Sequence, residues 1–214
     1  MAAKKLMSVL GAGESGVGAA VLAQKKGYDV YVSDSGAIKP KYKEMLEHYG
    51  LKYDEGKHNE ELILSSAEVV KSPGIPKEAP IVRKIEEKGI NIISEIELAG
   101  RYTNAKMICI TGSNGKTTTT SMISVCFMEA HKDPTVQVGA ILKQIDGNYR
   151  VGNSEYFILE SCEYVESFLK FHPRTEVILN IDNDHLDYFK DLDHIKNAFV
   201  KFVELLPKDG LLVL

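Results

Sequence analysis

The chain has 214 residues, 44% hydrophobic and 26% charged, with a formal net charge of −4 at pH 7. That is enough apolar surface to close one large core or two small ones, and too much for a disordered tail. Its 26 Lys and Arg against 30 Asp and Glu, with no long basic run, give no electrostatic footprint for nucleic acid.

No apolar run reaches the ~18 residues of a membrane-spanning helix. The first apolar stretch breaks at Gly11 and Glu14, so neither a signal peptide nor a membrane partner is expected. Cys109, Cys126 and Cys162 are far apart and lack C-x-x-C spacing, which argues against a disulfide framework or structural zinc and for a reducing, cytoplasmic setting.

In chain order, Leu6 to Leu10 predicts a strand, Val17 to Lys25 a helix and Asp29 to Ser33 a second strand, which is βαβ grammar. A helix over Lys41 to His48, a short polar turn and a strand over Ala67 to Val70 continue it. The segment Lys71-Ser72-Pro73-Gly74-Ile75-Pro76 then breaks regular structure. A helix over Ile81 to Lys88 and a strand over Ile90 to Ile93 follow. A second unit is predicted to begin between Ala99 and Ala105, with a strand over Met107 to Ile110 and a helix over Thr117 to Ala130. Further strands are read at Tyr156 to Leu159 and Val177 to Asn180. A last helix carries Ile195, Ala198, Phe199, Phe202, Val203 and Leu206 on one face, before a closing strand at Gly210 to Leu214. Ending on that apolar run, the chain is expected to be part of a longer protein.

The strongest local signal is Gly112-Ser113-Asn114-Gly115-Lys116-Thr117-Thr118, a strand-to-helix loop of the short form G-x-x-G-K-T. Its glycines let backbone N–H groups approach phosphate oxygens, Lys116 neutralises β- and γ-phosphates, and Thr117 is placed to ligate Mg²⁺. Upstream, Gly11-Ala12-Gly13-Glu14-Ser15-Gly16 follows the first strand, and Asp34 closes the second. These are components of a Rossmann-like cradle, which by themselves do not separate a nicotinamide cofactor from a UDP-linked ligand. Glu160, at the end of a strand, and Asn180, Asp182, Asp184, His185 and Asp187, beyond another, would meet the phosphate loop if the sheet is parallel. Such oxygen donors with an imidazole suit Mg²⁺ or Mn²⁺. Glu163 competes with Glu160 for that role.

Together these residues resemble the Mur ligases, which build the peptidoglycan stem peptide. The resemblance rests on Thr111 to Thr119, on Glu160 and on Asn180-Ile181-Asp182-Asn183-Asp184-His185-Leu186-Asp187. Residues 1 to 124 are most similar to the D-glutamate-adding member, through Gly11 to Gly16, Ser33-Asp34-Ser35, Ser72 to Pro76 and Ser94-Glu95-Ile96-Glu97. Residues 125 to 214 are closer to the L-alanine-adding member, through Asp133-Pro134-Thr135, Gly139 to Lys143 and Glu160-Ser161-Cys162-Glu163-Tyr164.

The resemblance implies an α/β fold with a Rossmann-like UDP-substrate domain over residues 1–100, followed by part of a P-loop ATPase-type central domain over residues 101–214. It further implies ATP and Mg²⁺ as cofactors, with Lys116, Glu160 and His185 catalytic and Thr117, Glu160 and His185 on metal. Gly112, Ser113, Asn114, Gly115, Lys116, Thr117 and Thr118 would hold the nucleotide, and Glu14, Ser15, Asp34, Ser35 and Gly74 the UDP-N-acetylmuramoyl substrate. The amino acid joined is D-glutamate or, in the alternative reading, L-alanine. A monomer is expected, and the family's C-terminal domain has no counterpart here, so the isolated chain is expected to bind nucleotide without turnover.

Overall fold

In the computed structural model, which describes residues 4–214, the apolar run after Lys5 forms β1 (Leu6–Leu10), and a glycine turn releases the chain into α1 (Glu14–Lys25). There follow β2 (Asp29–Asp34), α2 (Pro40–His48), β3 (Lys52–Glu55), α3 (Glu60–Ile63), β4 (Glu68–Lys71), α4 (Pro80–Glu87), β5 (Asn91–Ile93) and α5 (Glu95–Gly100). Pro40 and Pro80 sit in the first helical turn, where a missing N–H costs nothing and the fixed φ helps.

The five strands are parallel in the order β3-β2-β1-β4-β5. Alternation along them feeds two cores. Met7, Val9, Val30 and Val32 pack with the small face of α1 (Ala19, Ala20, Ala23), while Leu10, Tyr31 and Val69 pack with Ile81, Val82 and Ile85 of α4. Helices thus cover both faces, as a parallel sheet requires. Strand order reverses between β1 and β4, so the loops after those strands flank the crevice where such sheets bind ligands.

This unit ends at Tyr102 and a second compact unit begins at Thr103. The second contains β6 (Lys106–Thr111), α6 (Lys116–Glu129), β7 (Thr135–Leu142), β8 (Gly147–Arg150), β9 (Tyr156–Glu160), β10 (Pro173–Ile178), α7 (Leu192–Val203) and β11 (Leu211–Val213). Its sheet runs β11-β10-β6-β9-β7-β8, parallel except for the β7–β8 hairpin. Under α7, Phe199 and Phe202 close on Phe168, whose ring stacks on Phe202 at 4.5 Å. All three are fully buried, each contributing about 1.5–3 kcal/mol.

Four readings from sequence change. The polar turn after α2 holds a strand, β3, because an edge strand needs little apolar character. The β7–β8 hairpin was not foreseen. The strand expected at Val177 to Asn180 runs from Pro173 to Ile178, leaving Leu179 and Asn180 in the loop beyond it. Leu206 lies past the end of α7, and the helix's buried stripe is Ile195, Ala198, Phe199 and Phe202.

Candidate active site

β6 ends at Thr111, and the chain must turn sharply to enter α6. Gly112 takes φ +132° and Gly115 φ +87°, a region L side chains avoid. A Cβ on Gly112 would also stand 2.9 Å from the Asn180 carbonyl oxygen. Gly115 is the N-cap of α6 and offers no side-chain cap. The helix's first N–H groups are therefore free for an anion.

The loop is braced from the segment after β10. Asn114 N donates to Asn180 Oδ1 at 2.8 Å, Asn180 Nδ2 donates to Asn114 O at 2.9 Å, and Ser113 N donates to Asn180 O at 3.0 Å. Asp182 N donates to Ser113 Oγ at 2.8 Å. Asn180, read from sequence as one of several polar residues near a metal, is a clamp on the loop that runs from Gly112 into α6.

Lys116 Nζ turns back over that loop, donating to Gly112 O at 2.6 Å and Ser113 O at 3.3 Å, and pairs with Glu163 Oε1 at 3.0 Å. Thr117 Oγ1 donates to Glu160 Oε2 at 2.9 Å, and Gly139 N donates to the same oxygen at 2.7 Å. Gly139 is glycine for a visible reason, since a Cβ there would lie 2.6 Å from Glu160 Oε2. Ser113, Asn114, Gly115, Lys116, Thr117, Thr118 and Glu160 line one cleft of about 230 Å³.

Glu163 is buried, and His185 Nε2 stands 3.9 Å from its Oε1 and 3.9 Å from Asp184 Oδ2. His185 has φ +53°, and its ring lies against Tyr164 at 4.6 Å. The Tyr164 hydroxyl donates to Asp187 Oδ2 at 2.7 Å, which raises the phenol's pKa. Of the residues expected on metal, Thr117 and Glu160 meet directly, whereas His185 stands with Glu163 and Asp184. The latter three can bring ligand atoms within 4.8 Å of one another. Hydroxyl and carboxylate donors at Thr117–Glu160 are the hard-oxygen chemistry that Mg²⁺ takes, so these residues fit that ion.

In the first unit, Gly11 has φ +95°, and a Cβ there would be 2.7 Å from Ser72 Oγ. The loops after β1 and β4 therefore touch. Asp34 uses both oxygens internally, accepting from Ala12 N and Gly36 N at 2.8 Å each, so it shapes the cradle. Ser15 Oγ donates to the buried Glu95 Oε1 at 2.9 Å. Glu14, at the start of α1, Ser35, after β2, and Gly74, after β4, are exposed. Lys71, which drew no attention in the sequence, donates to Ser72 O and Ile75 O at 3.1 and 2.7 Å and holds the proline turn. Burial lowers its pKa.

Known proteins share both halves. Residues 5–94 match the family described as Mur ligase MurD-like, N-terminal domain, and residues 110–214 match the Mur ligase middle domain. The chain belongs to the Mur ligase family. It is 49% identical over 197 residues to the UDP-N-acetylmuramoylalanine--D-glutamate ligase of Bacteroides fragilis, a match covering 92% of this chain and 44% of that protein. It is 45% identical over 170 residues to the UDP-N-acetylmuramate--L-alanine ligase of Acetivibrio thermocellus, covering 78% and 36%. That second match is longer than residues 125–214, so likeness to the alanine-adding ligases is not confined to that part. The chain spans less than half the length of these curated relatives.

Among solved structures, the UDP-N-acetylmuramate:L-alanyl-gamma-D-glutamyl-meso-diaminopimelate ligase of Neisseria meningitides superposes with a TM-score of 0.74 at 25% identity, over 98% of this chain and 71% of that one. The UDP-N-acetylmuramate-alanine ligase of Thermotoga maritima gives 0.66 at 25% identity, over 98% and 48%. This Mur ligase chain thus has the Rossmann-like and central α/β architecture of its structural neighbours. Among the described residues no helix is long and apolar enough to cross a membrane.

Proposed function

We propose that this chain carries the UDP-substrate and ATP-binding parts of a ligase that joins D-glutamate to UDP-N-acetylmuramoyl-L-alanine in the cytoplasm, acting as a monomer. The observation that carries the reading is the cleft at the N-terminus of α6, where Lys116, the Thr117–Glu160 pair and an uncapped helix end converge. An L-alanine-adding ligase is the second reading, favoured by relatives of that type at 45–48% identity.

In this reading the substrate carboxylate takes the γ-phosphoryl group of ATP, releasing ADP. The amine of the incoming amino acid then attacks the acyl phosphate, expels phosphate and leaves an amide. Phosphoryl transfer needs mainly positioning and charge neutralisation. The N–H groups from Gly115 to Thr118, at the uncapped start of α6, would hold phosphate oxygens, and Lys116 would supply the cation beside the β- and γ-phosphates. Thr117 and Glu160 would hold Mg²⁺, and His185, with Glu163 and Asp184, would offer ligands to a second divalent ion. Mg²⁺ supplies neutralisation of phosphate charge. Glu14, Ser15, Asp34, Ser35 and Gly74 would frame the UDP portion.

Phosphate release measured with ATP, Mg²⁺ and UDP-N-acetylmuramoyl-L-alanine plus D-glutamate, against UDP-N-acetylmuramate plus L-alanine, tests the assignment. D-Glutamate-dependent release supports it, and L-alanine-dependent release supports the alternative. ATP binding without release identifies a nucleotide-binding module that does not turn over by itself.

A further inference from the structure

Lys116 carries three N–H donors, and three acceptors account for them: Gly112 O, Ser113 O and Glu163 Oε1. No proton is left for a phosphate oxygen. Two of those acceptors are neutral carbonyls of the lysine's own loop, while the third is a carboxylate with a side chain only 2% exposed, against 13% for Lys116. The charge-assisted bond is the strong one. Glu163 reaches the loop from outside it, 47 residues along the chain, and its second oxygen, Oε2, is buried with no hydrogen-bond partner. Among the described residues the ion-pair partner of Glu163 is Lys116, through Oε1, with His185 Nε2 3.9 Å from the same oxygen.

We propose that Glu163 is a positioning residue that latches Lys116 in a closed state, so that nucleotide phosphate must displace a buried carboxylate to take the lysine. The latch rests on the reading of the loop as an ATP site and deepens it. It keeps an unpaired lysine from collapsing elsewhere, and it subtracts from nucleotide affinity whatever the pair contributes. Opening it leaves Glu163 in a nearly water-free position without a counter-charge, which is costly. A metal ion bound by Glu163, Asp184 and His185, whose ligand atoms already lie within 4.8 Å, would relieve this. Filling that site and seating the phosphates are therefore mutually favourable through one carboxylate, and by linkage each raises the other's affinity.

The test is ADP titration by calorimetry of the full 214-residue chain in excess chelator, where no divalent ion contributes. Glu163→Gln keeps the shape and a neutral acceptor for Lys116, and is expected to bind ADP about tenfold tighter than wild type, the fold-change of a lost charge-assisted competitor. Glu166→Gln removes a neighbouring negative charge that pairs with Lys201 and not with Lys116, and is expected to leave affinity unchanged. A second readout needs no ligand. In the nucleotide-free protein an amine-reactive ester, scored by peptide mass spectrometry, is expected to modify Lys116 faster in Glu163→Gln than in wild type, with exposed Lys132 unchanged as reference.

Equal or weaker ADP binding by Glu163→Gln, an equal gain in Glu166→Gln, or unchanged labelling of Lys116 overturns the latch while leaving the ATP site intact. Failure of the wild type to bind ADP or ATP even with Mg²⁺ overturns the loop assignment itself, and the latch with it.

Discussion

Thr117 and Glu160 stand 43 residues apart in the sequence and share a 2.9 Å hydrogen bond, because parallel pairing of β6 with β9 brings the start of α6 over the end of β9. The sheet sets this pair in place, and the backbone N–H of Gly139 on the neighbouring strand fixes the carboxylate's direction. Three strands or strand ends therefore aim one oxygen into the cleft at the N-terminus of α6.

Gly139→Ala tests that aim. The added methyl would meet the Glu160 carboxylate, which can swing away on its flexible side chain. The fold should survive with its melting temperature little changed. Affinity for Mg²⁺-ATP, measured by calorimetry, should fall about tenfold, the size of a lost charge-assisted contact. Unchanged affinity would show that Glu160 needs no such orientation.

Glu176 predicts a pH dependence. It is fully buried in β10, both carboxylate oxygens lack hydrogen-bond partners, and burial pushes its pKa up to about 7 from the ordinary 4.5. Between those values the folded state holds a proton that the unfolded chain has lost, so stability falls as pH rises. The penalty is complete above pH 7 and absent below 4.5. Glu176→Gln should therefore melt higher than wild type at pH 8, with the gap closing towards pH 5. A gap that does not vary with pH would contradict the assignment.

Asp34 makes a prediction for the first unit. Its carboxylate joins the turn after β1 to the turn after β2 through Ala12 N and Gly36 N. Asp34→Ala frees both loops and should weaken binding of a UDP-N-acetylmuramoyl ligand about tenfold or more, each such bond to a charged group contributing roughly 1.5–3 kcal/mol. ATP affinity should not change. A loss of ATP affinity instead would mean that the two ligands do not divide between the two units.

The βαβ pattern, both glycine loops and the carboxyl-end position of Glu160 were legible in the sequence, because buried parallel strands and glycine turns leave strong local signals. β3 was not, since Lys52-Tyr53-Asp54-Glu55 forms an edge strand with no apolar alternation to betray it. Of β7 only Val136 and Val138 are buried, too short an alternation to mark a strand. The clamp of Asn180 on Asn114 and the Lys116–Glu163 pair span 66 and 47 residues. Neither has a spacing rule, and both exist only once β6, β9 and β10 lie side by side.

The central claim is that the loop Gly112–Thr118 seats the phosphates of ATP with Lys116 as its cation. Calorimetric titration of ATP with Mg²⁺ into the wild-type chain and into Lys116→Ala measures this most directly. The account predicts binding by the wild type and a loss of at least about tenfold in the variant, since a charge-assisted contact contributes roughly 1.5–3 kcal/mol. Equal ATP affinity in the two proteins would contradict it.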